Sequence, residues 1–365
     1  MSIVKFVSAH VPRIDRNITL PARFKRMLEG LDFAERFKGK RVAVKMHVGG
    51  DIGFYTIHPL FVRMVVDAIR AAGGSPFLTD GSFSTDAAVA RGYVPEVVGA
   101  RVVGAGGEHD KYYYSRPTDV PGLPTVDICG NIVDADAMLV LSHGKGHGHT
   151  GFGGAIKNIG MGCVSYPTRR AIHALMSDHF GWDGELCNHC GQCVSGCPTN
   201  AVSFNGNDEL SINEHHCRYC MHCTRSCPTH ALVMEQPGGK FALFQAGMAA
   251  VVKATVSNFA PAQVFYITTL MNITPLCDCW GFSTQPLVPD IGIVASDDIV
   301  AIEHASLEMI KTEHLIPGTL PEQFCPIGEE GHLFQRIHGK DPYEQIRQAE
   351  AAGLGSTDYS LVEVE

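Results

Sequence analysis

Eight cysteines carry the strongest chemical signal in this chain. Cys187, Cys190, Cys193 and Cys197 form C-x2-C-x2-C-x3-C followed by Pro198, and Cys217, Cys220, Cys223 and Cys227 repeat the spacing before Pro228. Two-residue spacers let a tight loop bring three thiolates to one face of an iron–sulfur cubane, and the proline turns the chain after the fourth. Zinc also uses CxxC pairs. Four thiolates already close a tetrahedral zinc site, however, so the third cysteine of each run and the trailing proline would have no purpose. Disulfides suit secreted chains, and MSIVKFVSAH lacks a charged stretch ahead of an apolar core. Two 4Fe–4S clusters are the expectation.

The paired runs resemble the bacterial two-cluster ferredoxins, in which the fourth cysteine of each run ligates the other run's cluster. That resemblance implies one cluster on Cys187, Cys190, Cys193 and Cys227, and another on Cys217, Cys220, Cys223 and Cys197. AVSFNG (201–206), ELSIN (209–213) and ALVMEQ (231–236) read as short strands pairing over the clusters. His189 and His222 stand where ferredoxins usually carry small residues. Their N–H groups could bond cluster sulfurs, or they are exposed passengers.

A second constellation lies in HGKGHGHTGFGGAIKNIGMGC (143–163), which packs His143, His147, His149, Lys145 and Lys157 among eight glycines. Glycine lets backbone N–H groups approach a ligand without a Cβ in the way. GGAIKNIG reads as a helix start that offers free N–H groups to an anion. KMHVGGDIGFYTIHP (45–59) is a similar loop with Lys45, His47, Asp51 and His58, the last read as a helix N-terminal residue rather than a ligand. Asp80, at the end of the neighbouring strand, could contribute as well. If the strands are parallel, both loops leave the same sheet edge and face one pocket, suited to a carboxylate, a phosphate or a metal. In CDCWGF, Cys277 and Cys279 could join Cys163 on a further metal, act as a redox pair, or be buried thiols beside a core Trp280. On a strand they would point to opposite faces, so joint action needs a loop there. Cys129 and Cys325 read as ordinary residues.

The elements that must position these groups alternate. RVAVKMHV (41–48), SPFLTDG (75–81), RVVGAG (101–106) and ADAMLVLSHGK (135–145) read as strands, with helices at 58–74 and 85–93. Beyond the cysteines, 263–270 and 290–296 read as strands, and 239–255, 297–312 and 341–356 as helices. The pattern predicts an α/β fold: a mostly parallel sheet with helices on both faces, carrying an inserted two-cluster module. The boundaries are 1–180 and 238–365 for the two parts of the α/β domain and 181–237 for the module. Separate N- and C-terminal domains are the alternative.

With 45% apolar and 18% charged residues and a net charge of −9, the composition is that of an ordinary soluble protein and argues against nucleic acid. The apolar stretch 241–256 is interrupted by Gln245 and Lys253, too short for a membrane span. A cytoplasmic location is expected, and low-potential clusters suggest an anaerobic one. GAGGEH (104–109) lacks the full dinucleotide-binding pattern.

VAVKMHVGG, SPFLTDG, LSHGKGHGHTGFGGAIKNIGMGC, the paired cysteine runs and NITPLCDCWGF…PDIGIVASDDIVAIEHAS together resemble the DUF362 family of iron–sulfur proteins. The resemblance implies an α/β domain with a ferredoxin-like insertion and leaves activity open. HGHTGFGGAIK followed by AIHA is similar to the cofactor-binding segment of the nickel-pincer lactate racemases. That similarity implies acid/base work for His147, an anchoring role for Lys157 and nickel ligation by His173. Ile156 departs from it, standing where the racemases carry a basic residue.

The catalytic candidates are His147, Lys157 and His47. Gly151, Gly153, Gly154, Lys145 and His173 are the candidates for holding a cofactor. The leading functional expectation is an electron-transfer protein that accepts electrons from a redox partner protein and passes them through the clusters to a pocket ligand, a further metal or small anion. The alternatives are a reductase or lyase acting on a small anionic substrate, and a metal or cluster scaffold.

Overall fold

Arg41–Met46 is buried at five of its six positions and Ala137–His143 at six of seven, as strands covered on both faces must be. These are β2 and β7 of a computed structural model that describes residues 1–365 apart from 51, 82–84, 178–179, 214–215 and 235–237. Asp51 and the end of the 231–236 strand therefore lie outside the described residues. The other strands are β1 (Ser2–Ser8), β3 (Ser75–Asp80), β4 (Val102–Gly104), the hairpin β5 (Tyr113–Val120) and β6 (Leu123–Cys129), and the small hairpin β8 (Lys145–His147) and β9 (Gly151–Gly153). Then come β10 (Phe180–Trp182), β11 (Val202–Phe204), β12 (Leu210–Ile212), β13 (Leu232–Met234), β14 (Val264–Leu270), β15 (Gly292–Ser296) and β16 (Tyr359–Glu363).

Eight of them form one sheet in the order β16-β1-β15-β14-β7-β2-β3-β4. Pairing is parallel from β14 to β4, with Val44 level with Leu78 and Leu139 and with Leu141 level with Ile267. Only β15 runs against its neighbours β1 and β14. The fold is α/β with a mostly parallel sheet. Strands from both sides of residues 181–237 hydrogen-bond into it.

Alternation along the strands sends side chains to two cores. Val42, Val44, Leu139 and Leu141 pack with Phe24 and Met27 of helix 20–29 and with Val62, Val65 and Ile69 of helix 59–71. Ala43, Met138 and Val140 face the other way, toward Ile156 and Ile159 of helix 155–162, Val252 of helix 238–256 and Ile302 of helix 299–309. A third core joins the cysteine-rich segment to the rest: Val202, Ile212, Leu232 and Met234 pack with Leu123, Ile172, Phe244 and Val251. Helix 238–256 thus touches two cores, which is why it is apolar nearly all round. Among the described residues no helix is long and apolar enough to cross a membrane.

Helix boundaries follow their caps. Asp298 Oδ1 accepts from the N–H groups of Val300 and Ala301 at 2.8 and 3.0 Å, starting helix 299–309, while Asp297 pairs instead with Arg36 at 2.8 Å. His58 is the N-cap of helix 59–71, its Nδ1 accepting from Leu60 N at 3.1 Å.

Candidate functional site

Because β2, β7 and β14 are adjacent and parallel, the loops at their C-terminal ends leave the sheet side by side. They enclose a cavity of about 770 Å³. Lys45, His47 and Asp80 line it from β2 and β3, His147 and Lys157 from the glycine-rich segment, and His173 from helix 166–177. Cys277, Asp278, Cys279 and Trp280 close it from the loop after β14.

Buried ion pairs fix the walls. Lys45 Nζ donates to Asp80 Oδ1 at 2.9 Å and to Asn158 Oδ1 at 2.6 Å, and His47 Nδ1 lies 3.3 Å from Asp80 Oδ2. Burial alone would raise the Asp80 carboxyl, but Lys45 and His47 hold it below its ordinary value. Asp278 forms the second pair. Lys145 Nζ donates to its Oδ1 at 2.7 Å and to the Tyr55 carbonyl at 2.5 Å, and His143 spans Asp278 Oδ2 at 3.0 Å and the Met271 carbonyl at 2.6 Å. Burial opposes ionisation of Asp278 too, and Lys145 and His143 overcome it, holding the carboxyl far down. Burial lowers His47 and His147 below the usual histidine value and pushes His173 down to about 4. All three rings are neutral near pH 7, the state that accepts a proton.

The sulfur end is the most concentrated chemistry in the cavity. Asp278–Trp280 forms a 3-10 turn rather than strand, which brings the sulfurs of Cys277 and Cys279 to one side. His147, Cys277 and Cys279 place ligand atoms within 4.8 Å of one another, close enough to share one metal ion. Lys157 Nζ approaches Cys277 Sγ at 3.5 Å. Burial would raise the Cys277 thiol, but the Cys279 S–H, Lys157 and His147 together hold it well below its ordinary value. Cys279 is raised, first by its hydrogen bond to Cys277 and then by burial. Lys157 is raised in turn by Cys277 despite its burial.

Several expected residues take other places. The N-terminus of helix 155–162 is already filled: an oxygen of the Glu303 carboxyl group accepts from the Ala155 N–H. Gly154 is what admits that carboxyl group, since a Cβ there would meet Glu303 Oε1 and the Phe152 ring. Gly153 and Gly154 line the cavity. Gly151 turns at φ +77° against Lys340 and Pro342. Lys145 stands behind the wall, spent on Asp278. Cys163 is buried, its thiol pushed up to about 12, and lies outside the His147–Cys277–Cys279 group. Glu303, Asn158, Arg169 and Phe244 were not anticipated. Only Asn158 left a signal, one residue past Lys157 on a helix already assigned to the site.

The cysteine-rich segment repeats its backbone. His189 and Tyr219, Gly191 and Met221, and Asn200 and His230 are pairs offset by thirty residues, and all six have φ between 51° and 70°. Five are not glycine, a conformation that costs about 1–2 kcal/mol per residue and persists where the surroundings demand it. The strands here form two separate ribbons, β11 with β12 and β10 with β13, rather than one group of three. Electrostatic neighbours sort the thiols: Cys193 with Cys187 and Cys227, and Cys217 and Cys223 with Cys197 and Cys220. This segment touches the cavity. His216 stacks on Trp280 with ring centres 4.8 Å apart and planes at 12°. Lys340 donates to the carbonyls of Cys217, at 2.5 Å, and of Gly148, and lies 4.6 Å over the Tyr219 ring.

A family model described as "Domain of unknown function (DUF362)" matches residues 42–308. No curated protein matches the chain. Among solved structures, the lactate racemase apoprotein from Thermoanaerobacterium thermosaccharolyticum is similar, with 14% identity and a TM-score of 0.35 over 74% of this chain and 51% of that one. A protein from Thermotoga maritima is similar with 10% identity and a TM-score of 0.37, over 70% of this chain and 52% of that one. The chain therefore spans about half the length of either structure.

Proposed function

The chain belongs to the DUF362 family, and on that premise we propose that it is an iron–sulfur redox protein feeding electrons into the cavity. Cys187, Cys190, Cys193 and Cys227 would hold one 4Fe–4S cluster and Cys217, Cys220, Cys223 and Cys197 the other. The electrostatic grouping of the thiols agrees with that division, and backbone N–H groups reach the last thiol of each run, Ala201 N donating to Cys197 Sγ at 3.2 Å and Thr229, Ala231 and Leu232 to Cys227, as an anionic cluster requires. Cys190 is exposed whereas Cys217 and Cys223 are buried, so the first set faces an incoming redox partner protein and the second faces inward.

The observation that carries the reading is the His216–Trp280 stack. It joins the residue before Cys217 to the residue after Cys279, a packed aromatic bridge between cluster loop and cavity. A small anionic ligand fits the cavity's cations, with Lys157 and Arg169 holding a carboxylate or phosphate. That same lining favours a second reading, a reductase or lyase on a small anionic substrate, in which neutral His147 or His47 transfers a proton.

Anaerobic reconstitution tests the proposal. About eight irons per chain and paired EPR signals on reduction are expected. Trp280→Leu should keep those signals and slow reoxidation of the clusters by a cavity ligand several-fold. A chain that takes up only zinc overturns the proposal.

A further inference from the structure

His147, Cys277 and Cys279 bring their donor atoms together at one end of the cavity. A soft metal ion and a thiol redox pair both use such a set, and the hydrogen bonds of His147 separate the two. A metal-ligating histidine almost always donates a proton from its other ring nitrogen. In His147 that other nitrogen does the reverse: Nδ1 accepts from the N–H groups of His149 and Thr150 at 3.1 and 3.2 Å. The proton of the neutral ring then sits on Nε2, which leaves an N–H for the hydrogen bond to Cys277. A proton, not a lone pair, faces the sulfur.

Two further donors reach the same atom. Lys157 Nζ stands 3.5 Å from Cys277 Sγ, and the Cys279 thiol hydrogen-bonds to it. An ammonium beside a sulfur repels a dication that would bind there and suits a thiolate instead. Cys277 thus has the surroundings of a nucleophile, and Cys279 sits on the same turn with its sulfur within 4.8 Å of the Cys277 sulfur.

We propose that Cys277 and Cys279 form a dithiol–disulfide couple that reduces small disulfides carrying a carboxylate or phosphate. The Cys277 thiolate attacks one substrate sulfur. The substrate S–S bond breaks, a mixed disulfide forms on Cys277, and the first substrate thiolate leaves. Cys279, deprotonated, then attacks Cys277 Sγ, closing the 277–279 disulfide and releasing the second thiolate. Two electrons and two protons reopen the pair, giving a net conversion of one disulfide to two thiols. This step rests on the electron-transfer reading, because each cluster gives one electron and the two together give the pair's two. The cavity of about 770 Å³ admits a small molecule, and Lys157 and Arg169 in its lining select for negative charge.

The test uses the full-length, cluster-loaded chain, anaerobic and with its clusters reduced and freed of reductant. The anionic aromatic disulfide 5,5′-dithiobis(2-nitrobenzoate) is the probe. Cys277 should react at least about ten-fold faster than the exposed Cys325, a thiol outside the cavity. With the probe in excess, peptide mass spectrometry should find a 277–279 disulfide once the clusters have been oxidised. Cys279→Ser should stop at a mixed disulfide on Cys277, which keeps the test open if Cys277→Ser does not fold. The clusters should reoxidise in step in the unmodified chain. Reaction at Cys277 no faster than at Cys325, or a stoichiometric metal bound by Cys277 and Cys279 in the isolated chain, overturns the inference. A 277–279 disulfide that forms while the clusters stay reduced supports the dithiol and overturns the electron-transfer reading.

Discussion

The two sulfur-bearing regions hold their charge by different means. Between 187 and 227, the cysteines sit in loops whose order lies in the backbone, with helical turns beginning at left-handed Gly191 and Met221. Around Cys277 buried side chains face one another: Lys145 and His143 on Asp278, Lys45 and His47 on Asp80, Lys157 and His147 on the sulfur. A site held by main-chain N–H groups tolerates changes of side chain. A site held by buried ion pairs does not, because each partner left behind is a charge without water.

The sharpest way to break this contrast is Asp278→Ala. It strands Lys145 and His143 in a dry wall, and the expected loss is about 3–5 kcal/mol of unfolding free energy, read from the denaturant midpoint. A loss below about 1 kcal/mol would mean that the wall is wetter than its burial implies.

Glu303→Gln comes next. Burial raises the Glu303 carboxyl from 4.5 to about 8, outweighing its bonds to the N–H groups of Ala155 and Ile156. The folded state thus holds a proton that the unfolded chain releases. The resulting stability is complete below pH 4.5 and is lost as pH rises through about 8. Relative to the Gln variant, the native chain should lose on the order of a few kcal/mol across that window. Thermal melts at stepped pH check it, and parallel curves for the two proteins would refute it.

The smallest effect is expected in the other region. His189→Gly relieves a left-handed residue at φ 53° while giving up a ring 5.1 Å from that of Phe204. The two nearly cancel, within about 1 kcal/mol, by the same denaturant measurement. A larger loss would show that the side chain, not the backbone, organises that loop.

The same contrast governs what could be read before folding. The cysteine runs are legible because their ligands lie within one stretch, where spacing alone states the geometry. The buried strands β2, β3, β7, β14 and β15 are legible as apolar runs too long to be turns. The shared edge of β2, β3, β7 and β14, which draws Lys45, His47, His147 and Lys157 together, follows from parallel pairing. The hairpin β5–β6 escaped, because alternating burial along Tyr113–Val120 mixes Arg, Thr and Asp with tyrosines and carries Pro117. Glu303 escaped because either acid in IVAIEHASLEM looks like a solvent-facing position, whereas every residue from Ile299 to Glu303 is buried. The turn that joins Cys277 to Cys279 was foreseen as a condition but not as an outcome. The contact between His216 and Trp280 spans sixty-four positions, and no local pattern announces it.

Lys340 has an effect beyond tying the two regions together. Its ammonium rests on the carbonyl of Cys217 and lowers the energy of negative charge at that thiol. With clusters in place as proposed, an added electron would be drawn to the cube beside Lys340, the one next to the cavity. Traffic arriving at the outer cube would then run downhill toward the interior, and the C-terminal stretch of the chain would act as the rectifier.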